Sequence, residues 1–437
     1  MKGRFSVAVG FLALVLAGAV ALASPWARAA GTWGDFGPAL FTACSAVCVT
    51  GLTVVDVGAE FSRAGLAVLT TLVEIGCLGL MTCSTFLMIA IGRRLSLHRE
   101  FTLMTAYGVP AVKGLRGLIL WVVGSMLAIQ AAGTLALYSQ CGDWFQAAFY
   151  SMMNFCNAGF SYLPGSLAAW GDSSVAVLIM AALTVLGGIG FLVHFNLCTF
   201  KFISFKAASR GRLSLHTKTV LRVSAVLTLL TLAAFLAVEW TESLAGMPLA
   251  KKLYVGVYQA ITPRTCGFCL VPTEDLQPVT RLIYEVMMFL GGAPGSAAGG
   301  IKVTTLAVLV CTITAMCRGD TETVISKRLV PTEIVRESIV IIMTLAAMIV
   351  VLTGVLLVTE SGSGAATDAL FFEAVSAVTT TGLSVGDTTR NLSGGGRVAI
   401  MLAMFCGRLG AITIVMMIGD RESKRRIRFP QEELVVG

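Results

Sequence analysis

The chain has 437 residues, of which 56% are hydrophobic and only 13% charged, whereas soluble domains carry about 25% charged residues. This excludes an ordinary soluble enzyme and marks a membrane protein. A formal net charge of +8 would suit nucleic acid if it formed one patch, but the basic residues lie scattered between apolar segments, so nucleic acid is excluded as a partner.

Taken in chain order, apolar runs near or beyond the ~20 residues that cross a bilayer are Leu12–Ala23, Gly65–Ile91, Leu115–Tyr138, Val175–Phe200, Val220–Val238 and Ile339–Val358. The opening MKGRFSVAVGFLALVLAGAVALASPWARAA also has the basic start, apolar centre and small-residue end of a signal peptide. The repeat described next needs this segment as a helix, so it is read as a retained anchor. The N-terminus, 93–116, 201–222, 318–336 and the tail from Arg421 hold 22 of the 32 Lys and Arg residues. By the positive-inside rule, these segments and both termini are cytoplasmic. The twelve cysteines show neither a disulfide framework nor metal-site spacing and are read mainly as small buried hydrophobes.

One pattern occurs four times: a spanning segment, a shorter semi-apolar helix, a glycine-containing extended piece and a second spanning segment. The third elements align without gaps as FTACSAVCVTGLT (Phe41–Thr53), FYSMMNFCNAGFS (Phe149–Ser161), VYQAITPRTCGFC (Val257–Cys269) and FEAVSAVTTTGLS (Phe372–Ser384). Their glycines Gly51, Gly159, Gly267 and Gly382 are spaced by 108, 108 and 115 residues. The repeats divide the chain at 1–92, 93–200, 201–318 and 319–420, with a short basic tail at 421–437. In the first repeat the short helix is expected over 36–49. The extended pieces are 49–53, 156–161, 265–269 and 380–384.

Ten residues before each glycine stands Phe41, Phe149, Val257 or Phe372, a shared packing position, and Asp35, Asp143 and Asp368 stand where three of the short helices begin, as N-caps would. A helix of about 12–14 residues is about 20 Å long, too short for a ~30 Å hydrocarbon core. It dips in and stops. A second set, Gly76–Gly79, Gly187–Gly190, Gly291–Gly295 and Gly407–Gly410, begins 25, 28, 24 and 25 residues after the key glycines, so the following helices correspond too. Close helix packing accounts for such small residues.

Non-helical backbone is tolerated at membrane depth only when it is buried in protein or lines a water-filled cavity, so four such pieces imply one polar axis. Extended backbone there presents carbonyl oxygens, the ligands that replace the water shell of a potassium ion. Glycine can take positive φ and turn successive carbonyls to one side. The short helices aim the negative ends of their dipoles at the axis, which favours a cation. In GGAPGSAAGGIK (Gly291–Lys302), the run of Gly, Ala and Ser cannot hold a firm helix, and Ile301 stands where a phosphate-binding loop requires lysine. Arg408 lies within an apolar segment, where a cation costs ~2.5–3.5 kcal/mol unless solvated or paired. It is either a functional residue or one anchored to backbone carbonyls or to Glu74 or Glu285.

With VTGLT, NAGFS, TCGFC and TTGLS at the four turns, IGCLGLMT after the first and RLSLHTK at Arg212–Lys218, the chain resembles the Trk/Ktr/HKT superfamily of potassium transporters, most closely the Ktr membrane subunit, KtrB. The resemblance implies an all-α polytopic membrane protein with four pseudo-symmetric helix–pore loop–helix (M1-P-M2) repeats. About eight spanning helices and four re-entrant pore helices would surround a central ion pore.

It further implies a selectivity filter of Val49, Thr50, Gly51, Asn157, Ala158, Gly159, Thr265, Cys266, Gly267, Thr380, Thr381 and Gly382, with potassium at the carbonyls of Thr50, Ala158, Cys266 and Thr381. An intramembrane gate would comprise Gly291, Gly292, Gly295, Ser296, Gly299, Gly300, Lys302 and Arg408. Glycine rather than serine at position 51 favours potassium, and sodium is a second candidate ion. The implied assembly is a homodimer on a cytosolic KtrA-like RCK ring that binds ATP/ADP or NAD(H), in the bacterial inner membrane. Arg210, Arg212, Lys218, Lys424 and Arg425 would touch the ring or lipid headgroups. No nucleophile–base set or histidine cluster indicates an enzyme, as His98, His194 and His216 stand apart.

Three rival readings remain: a Trk-type or sodium-permeable relative, an organic-solute secondary transporter, and a membrane thiol oxidoreductase using Cys266 and Cys269. The last requires an exposed, low-pKa thiol pair.

Overall fold

The computed structural model describes residues 2–79, 115–202, 213–362 and 364–410. Repeat 1 comprises α1 (Lys2–Ala23), the pore helix α2 (Phe36–Val47), a single turn α3 (Val57–Glu60) and α4 (Arg63–Leu78). Repeat 2 has α5 (Leu115–Cys141), pore helix α6 (Trp144–Cys156), α7 (Ser174–Gly188) and α8 (Phe191–Phe202). Repeat 3 has α9 (Leu215–Glu239), pore helix α10 (Leu249–Ile261), α11 (Pro278–Phe289) and α12 (Val303–Cys317). Repeat 4 has α13 (Thr332–Thr359), pore helix α14 (Thr367–Val378), α15 (Thr388–Asn391) and α16 (Gly394–Leu409). The last two repeats are joined by a small hairpin, β1 (Val324–Ile325) and β2 (Arg328–Leu329). Its turn residues Ser326 and Lys327 both have positive φ, as a tight hairpin turn demands.

The first helices of repeats 2, 3 and 4 have 27, 25 and 28 residues. At 1.5 Å per residue they reach about 37–42 Å, enough to cross a bilayer with tilt. Val350, Val351 and Val358 of α13 lie exposed on such a helix, as side chains facing lipid do. The pore helices have 12, 13, 13 and 12 residues and stop partway through the membrane. Asp143 caps α6, accepting from Phe145 N at 2.8 Å. Asp35 holds the corresponding position without a side-chain bond. Asp368 corrects the capping expectation, because α14 begins at Thr367 and the carboxylate falls inside the first turn. There it still meets the positive end of the helix dipole, and it lies 3.5 Å from Arg281.

The second helices are where sequence and structure diverge. A break was expected in repeat 3 alone, yet α7 and α8 also meet at a 96° bend. In repeats 1 and 4, α4 and α16 stop at Gly79 and Gly410. Gly79, Gly190, Gly295 and Gly410, the last residues of the four aligned glycine motifs, all have positive φ, at 76°, 88°, 66° and 85°. Positive φ takes the backbone out of the right-handed helix, and glycine enters that region without steric cost; Gly79 and Gly410 directly follow helices, whereas Gly295 turns the loop after α11. Close packing is the role of the motif's first glycine. A Cβ on Gly76, Gly187 or Gly407 would strike the carbonyl of Val47, Phe155 or Val378 respectively, at the end of a pore helix. In lipid, such small-residue contact supplies the packing that water exclusion supplies elsewhere.

Candidate ion pathway

Each pore helix runs into a turn whose geometry repeats around the molecule. Val49, Asn157, Thr265 and Thr380, two residues before the four glycines, all have positive φ, at 56°, 54°, 71° and 52°. Such values are uncommon for residues other than glycine, and for β-branched side chains they mark a strained, over-determined conformation. Gly51, Gly267 and Gly382 follow with φ of 102°, 80° and 90°. Backbone that alternates left- and right-handed residues directs successive carbonyls to one side, so three turns have the handedness expected of ion-binding backbone.

Gly159 departs from that expectation, since its φ is not in the positive region occupied by the other three glycines. Its need for glycine is spatial, because a Cβ there would lie 2.8 Å from Gly267 Cα. The other glycines are equally confined. A Cβ on Gly51 would lie 2.8 Å from Gly159 Cα, one on Gly267 would lie 2.5 Å from Thr381 O, and one on Gly382 would strike Thr50 O. The four turns therefore close a ring in chain order.

Hydrogen bonding divides the ring. Gly51 N and Gly382 N donate to the hydroxyls of Ser45 and Ser376 at 3.0 and 3.1 Å, which fixes these amides to their own pore helices. At the same offset repeats 2 and 3 carry Met153 and Ile261. Gly159 N instead crosses to Cys266 O at 2.9 Å, and Phe160 N donates to Ala158 O. The proposed cation ligands thus differ in state: the Ala158 and Cys266 carbonyls already accept backbone amides, while those of Thr50 and Thr381 face neighbouring glycines. The hydroxyls of Thr50, Thr265 and Thr380 are buried without a protein partner among the described residues. With its amide oriented to donate, Asn157 turns back toward Asn154 O at 2.9 Å and Thr184 O at 3.2 Å. The Ser45 and Ser376 anchors were not singled out in the sequence, although the shared Ser-Ala-Val before two of the four turns signals them.

Beneath the ring, the 291–300 loop is bonded into its neighbours. Ala293 N donates to Gly188 O at 3.0 Å, Ala297 N to Gly187 O at 3.3 Å, and Phe191 N to Gly295 O at 2.9 Å, which locks it to the break in repeat 2. Gly299 packs so closely on Thr379 and Thr380 that a Cβ would overlap both. Ser296 Oγ closes a turn onto Ala293 O at 2.6 Å, and Lys302 Nζ donates to Ala298 O at 2.6 Å. Gly291 and Gly292 lie where a Cβ would meet Gly299 or Ala298, and Gly300 takes a φ of 64°. Arg408 spans the assembly, donating to Ala297 O at 2.8 Å and to Gly76 O at 2.5 Å. It is held by carbonyls of the loop and of repeat 1. Glu74 instead accepts from Gln130 at 2.7 Å, and Glu285 lies half-buried on α11.

The two thiols of the CGFC stretch are free. Cys266 is fully buried between the hydroxyls of Thr184 and Tyr258, at 3.4 and 3.5 Å, which is no place for a reactive thiol. His194 is buried and His216 half-buried, and neither joins a metal-binding group among the described residues. Arg210, Arg212, Lys424, Arg425 and His98 lie outside the described residues. Arg264, three residues before Gly267, was not singled out as a site. Its guanidinium reaches Ser224 O, Ser224 Oγ and Thr228 Oγ1, each at 3.1 Å.

Four re-entrant helices that end on a ring of glycine turns, enclosed by long apolar helices, define a membrane pore protein of M1-P-M2 architecture. Residues 23–427 match the TrkH family, described as cation transport protein. The chain is 31% identical to the Ktr system potassium uptake protein B of Bacillus subtilis over 99% of this chain and 96% of that protein. It is 29% identical to the potassium/sodium uptake protein NtpJ of Enterococcus hirae over 99% and 96%. In fold it matches the crystal structure of the potassium transporter TrkH from Vibrio parahaemolyticus, with a TM-score of 0.75 at 17% identity over 96% of this chain and 85% of that one. This chain belongs to the TrkH family of cation transport proteins, a family of transporters and not of enzymes.

Proposed function

We propose that the chain is the pore subunit of a potassium-uptake system, with the pore helices entering from the external side and both termini cytoplasmic. The observation that carries this reading is the ring of four glycine turns at the ends of four pore helices, with carbonyls, unpartnered threonine hydroxyls and helix-dipole ends arranged for a dehydrated cation. Similarity to the Bacillus potassium uptake protein and the Enterococcus potassium/sodium uptake protein favours potassium, with sodium as the competing ion. A hundredfold accumulation costs ~2.8 kcal/mol, and 100 mV inside-negative supplies ~2.3 kcal/mol per charge. About 120 mV therefore drives uptake without a coupled ion, and sodium acts as a stimulating ion.

In this reading the 291–300 loop, Lys302 and Arg408 form the gate. A homodimer sits on a cytosolic RCK ring of KtrA type, and ATP/ADP or NAD(H) acts on that ring. Lipid headgroups meet the basic loops in the bacterial inner membrane. The test is growth of an uptake-deficient bacterium at low potassium, with the chain expressed alongside a matched RCK subunit. Rescue together with rubidium uptake that excess potassium suppresses more than excess sodium is expected. No rescue despite confirmed membrane expression overturns the potassium assignment.

A further inference from the structure

Glu373 is a buried carboxylate that the pathway described above leaves unused. It stands in pore helix α14, nine residues before Gly382, and is 0% exposed. Besides the Val385 backbone amide, its bonding partners are two hydroxyls: Ser384 Oγ donates to one carboxylate oxygen and Thr389 Oγ1 to the other at 2.8 Å. Thr389 Oγ1 also lies 3.2 Å from Ser384 Oγ. Ser384 is two residues beyond the filter glycine, and Thr389 belongs to the short helix α15 that follows. The carboxylate therefore ties the external half of the fourth filter segment back to its own pore helix.

The same offset forms a tie in repeat 2, where Tyr150 OH lies 2.7 Å from Ser161 Oγ and accepts from Leu163 N at 3.3 Å. Repeat 3 shifts the tie by one residue, with Gln259 donating to Val271 O at 3.2 Å and accepting from Leu270 N at 3.4 Å. In repeat 1 the equivalent Thr42 bonds within its helix, to Pro38 O at 2.9 Å. Three of the four filter segments are thus latched behind the pathway by chemically different groups, and repeat 4 uses a carboxylate. A carboxylate with two hydroxyl donors makes a stronger, shorter latch than neutral partners do.

We infer that Glu373 is a positioning residue for ion discrimination, which through Ser384 and Thr389 fixes the width of the filter at Gly382. The inference rests on the potassium-pore reading. Filter selectivity depends on cavity size and on the field of the coordinating carbonyls, so a slack fourth segment admits sodium more readily.

The test compares the full-length chain with Glu373→Ala, Glu373→Gln and Ser384→Ala, each assayed with its RCK partner. One readout is the ratio of rubidium to sodium uptake. A second, independent of transport, is the rise in melting temperature of the purified protein in potassium chloride relative to sodium chloride. Glu373→Ala is expected to lower the uptake ratio roughly tenfold, in line with the net loss of about one hydrogen bond. Ser384→Ala is expected to lower it less, and Glu373→Gln, which keeps an acceptor and adds a donor, to restore most of it. The potassium-specific stabilisation should fall in the same order.

Unchanged ratios and unchanged potassium stabilisation in both alanine variants overturn the inference while leaving the pore reading intact. A glutamine variant as impaired as alanine also overturns it, since charge and not the latch would then be responsible. If Glu373→Ala does not reach the membrane, Ser384→Ala decides on the same two readouts. A wild-type chain that neither transports rubidium nor is stabilised by potassium overturns the pore reading and this inference together.

Discussion

At the scale of single residues, two kinds of glycine do different work, and substitutions separate them. Gly79 has a φ of 76° but open space where a Cβ would go. With a ψ of 140° this is a region open essentially to glycine alone, so Gly79→Ala should cost ~1–3 kcal/mol of backbone strain and Gly79→Asn no less. Gly187 faces Phe155 O across a helix contact with no room for a Cβ, so Gly187→Ala must move backbone and should cost at least ~1–3 kcal/mol. Melting of the detergent-solubilised protein ranks the three. Gly382 combines both demands, and Gly382→Ser should abolish potassium-selective uptake even where the protein reaches the membrane. Replacing Cys266 and Cys269 together by Ser should retain uptake within about threefold, because a serine hydroxyl can take the bonds to Thr184 and Tyr258. Loss of transport on that change, together with wild-type transport that a thiol oxidant abolishes and a reductant restores, would revive the redox reading.

At the scale of elements, the most consequential contact joins the interrupted second helix of repeat 3 to its neighbours. Arg408 is bonded to one carbonyl of the loop and one of repeat 1, so its charge stands beneath the ring of glycine turns with no carboxylate bonded to it among the described residues. If it forms the barrier proposed above, Arg408→Ala should raise the maximal rate of rubidium uptake and weaken its dependence on the RCK partner. Arg408→Lys, which keeps the charge but not the planar two-armed reach, should fall between. Equal rates in all three would remove the residue from the gate.

At the scale of the whole molecule, four repeats are held mainly by helix packing, with few ionic ties between them among the described residues. Lys251 and Asp172 form one such tie between repeats 2 and 3, with Nζ 2.6 Å from Oδ1. That hydrogen bond pulls the Asp172 carboxyl below its ordinary range and the Lys251 ammonium above its own. The carboxylate's contribution is present above its ordinary pKa of about 4 and is lost as pH falls through the depressed value. Because Asp172 is fully exposed, the pair is screened. Asp172→Asn should shift the melting temperature slightly at low salt and pH 7, and not at all in high salt or once the pH lies well below the depressed carboxyl pKa.

The repeat, the four glycines of the ring, the short pore helices and the broken helix of repeat 3 were legible in the sequence, because backbone demands that only glycine meets recur at fixed spacing. Glycine identity could not say which demand applied. Gly159 is required for closeness and not for φ, and the last glycine of the motif closes a helix in repeats 1 and 4 but turns the loop in repeat 3. These distinctions depend on what lies opposite, in another repeat. The same holds for Glu373, whose role is set by Ser384 and Thr389, and for Arg408, whose partners Ala297 and Gly76 lie 111 and 332 residues away along the chain. Local chemistry and periodicity determined that this is a four-fold membrane pore. Only the tertiary structure decided which carbonyls remain free at its axis, because each is claimed or released by backbone from a neighbouring repeat.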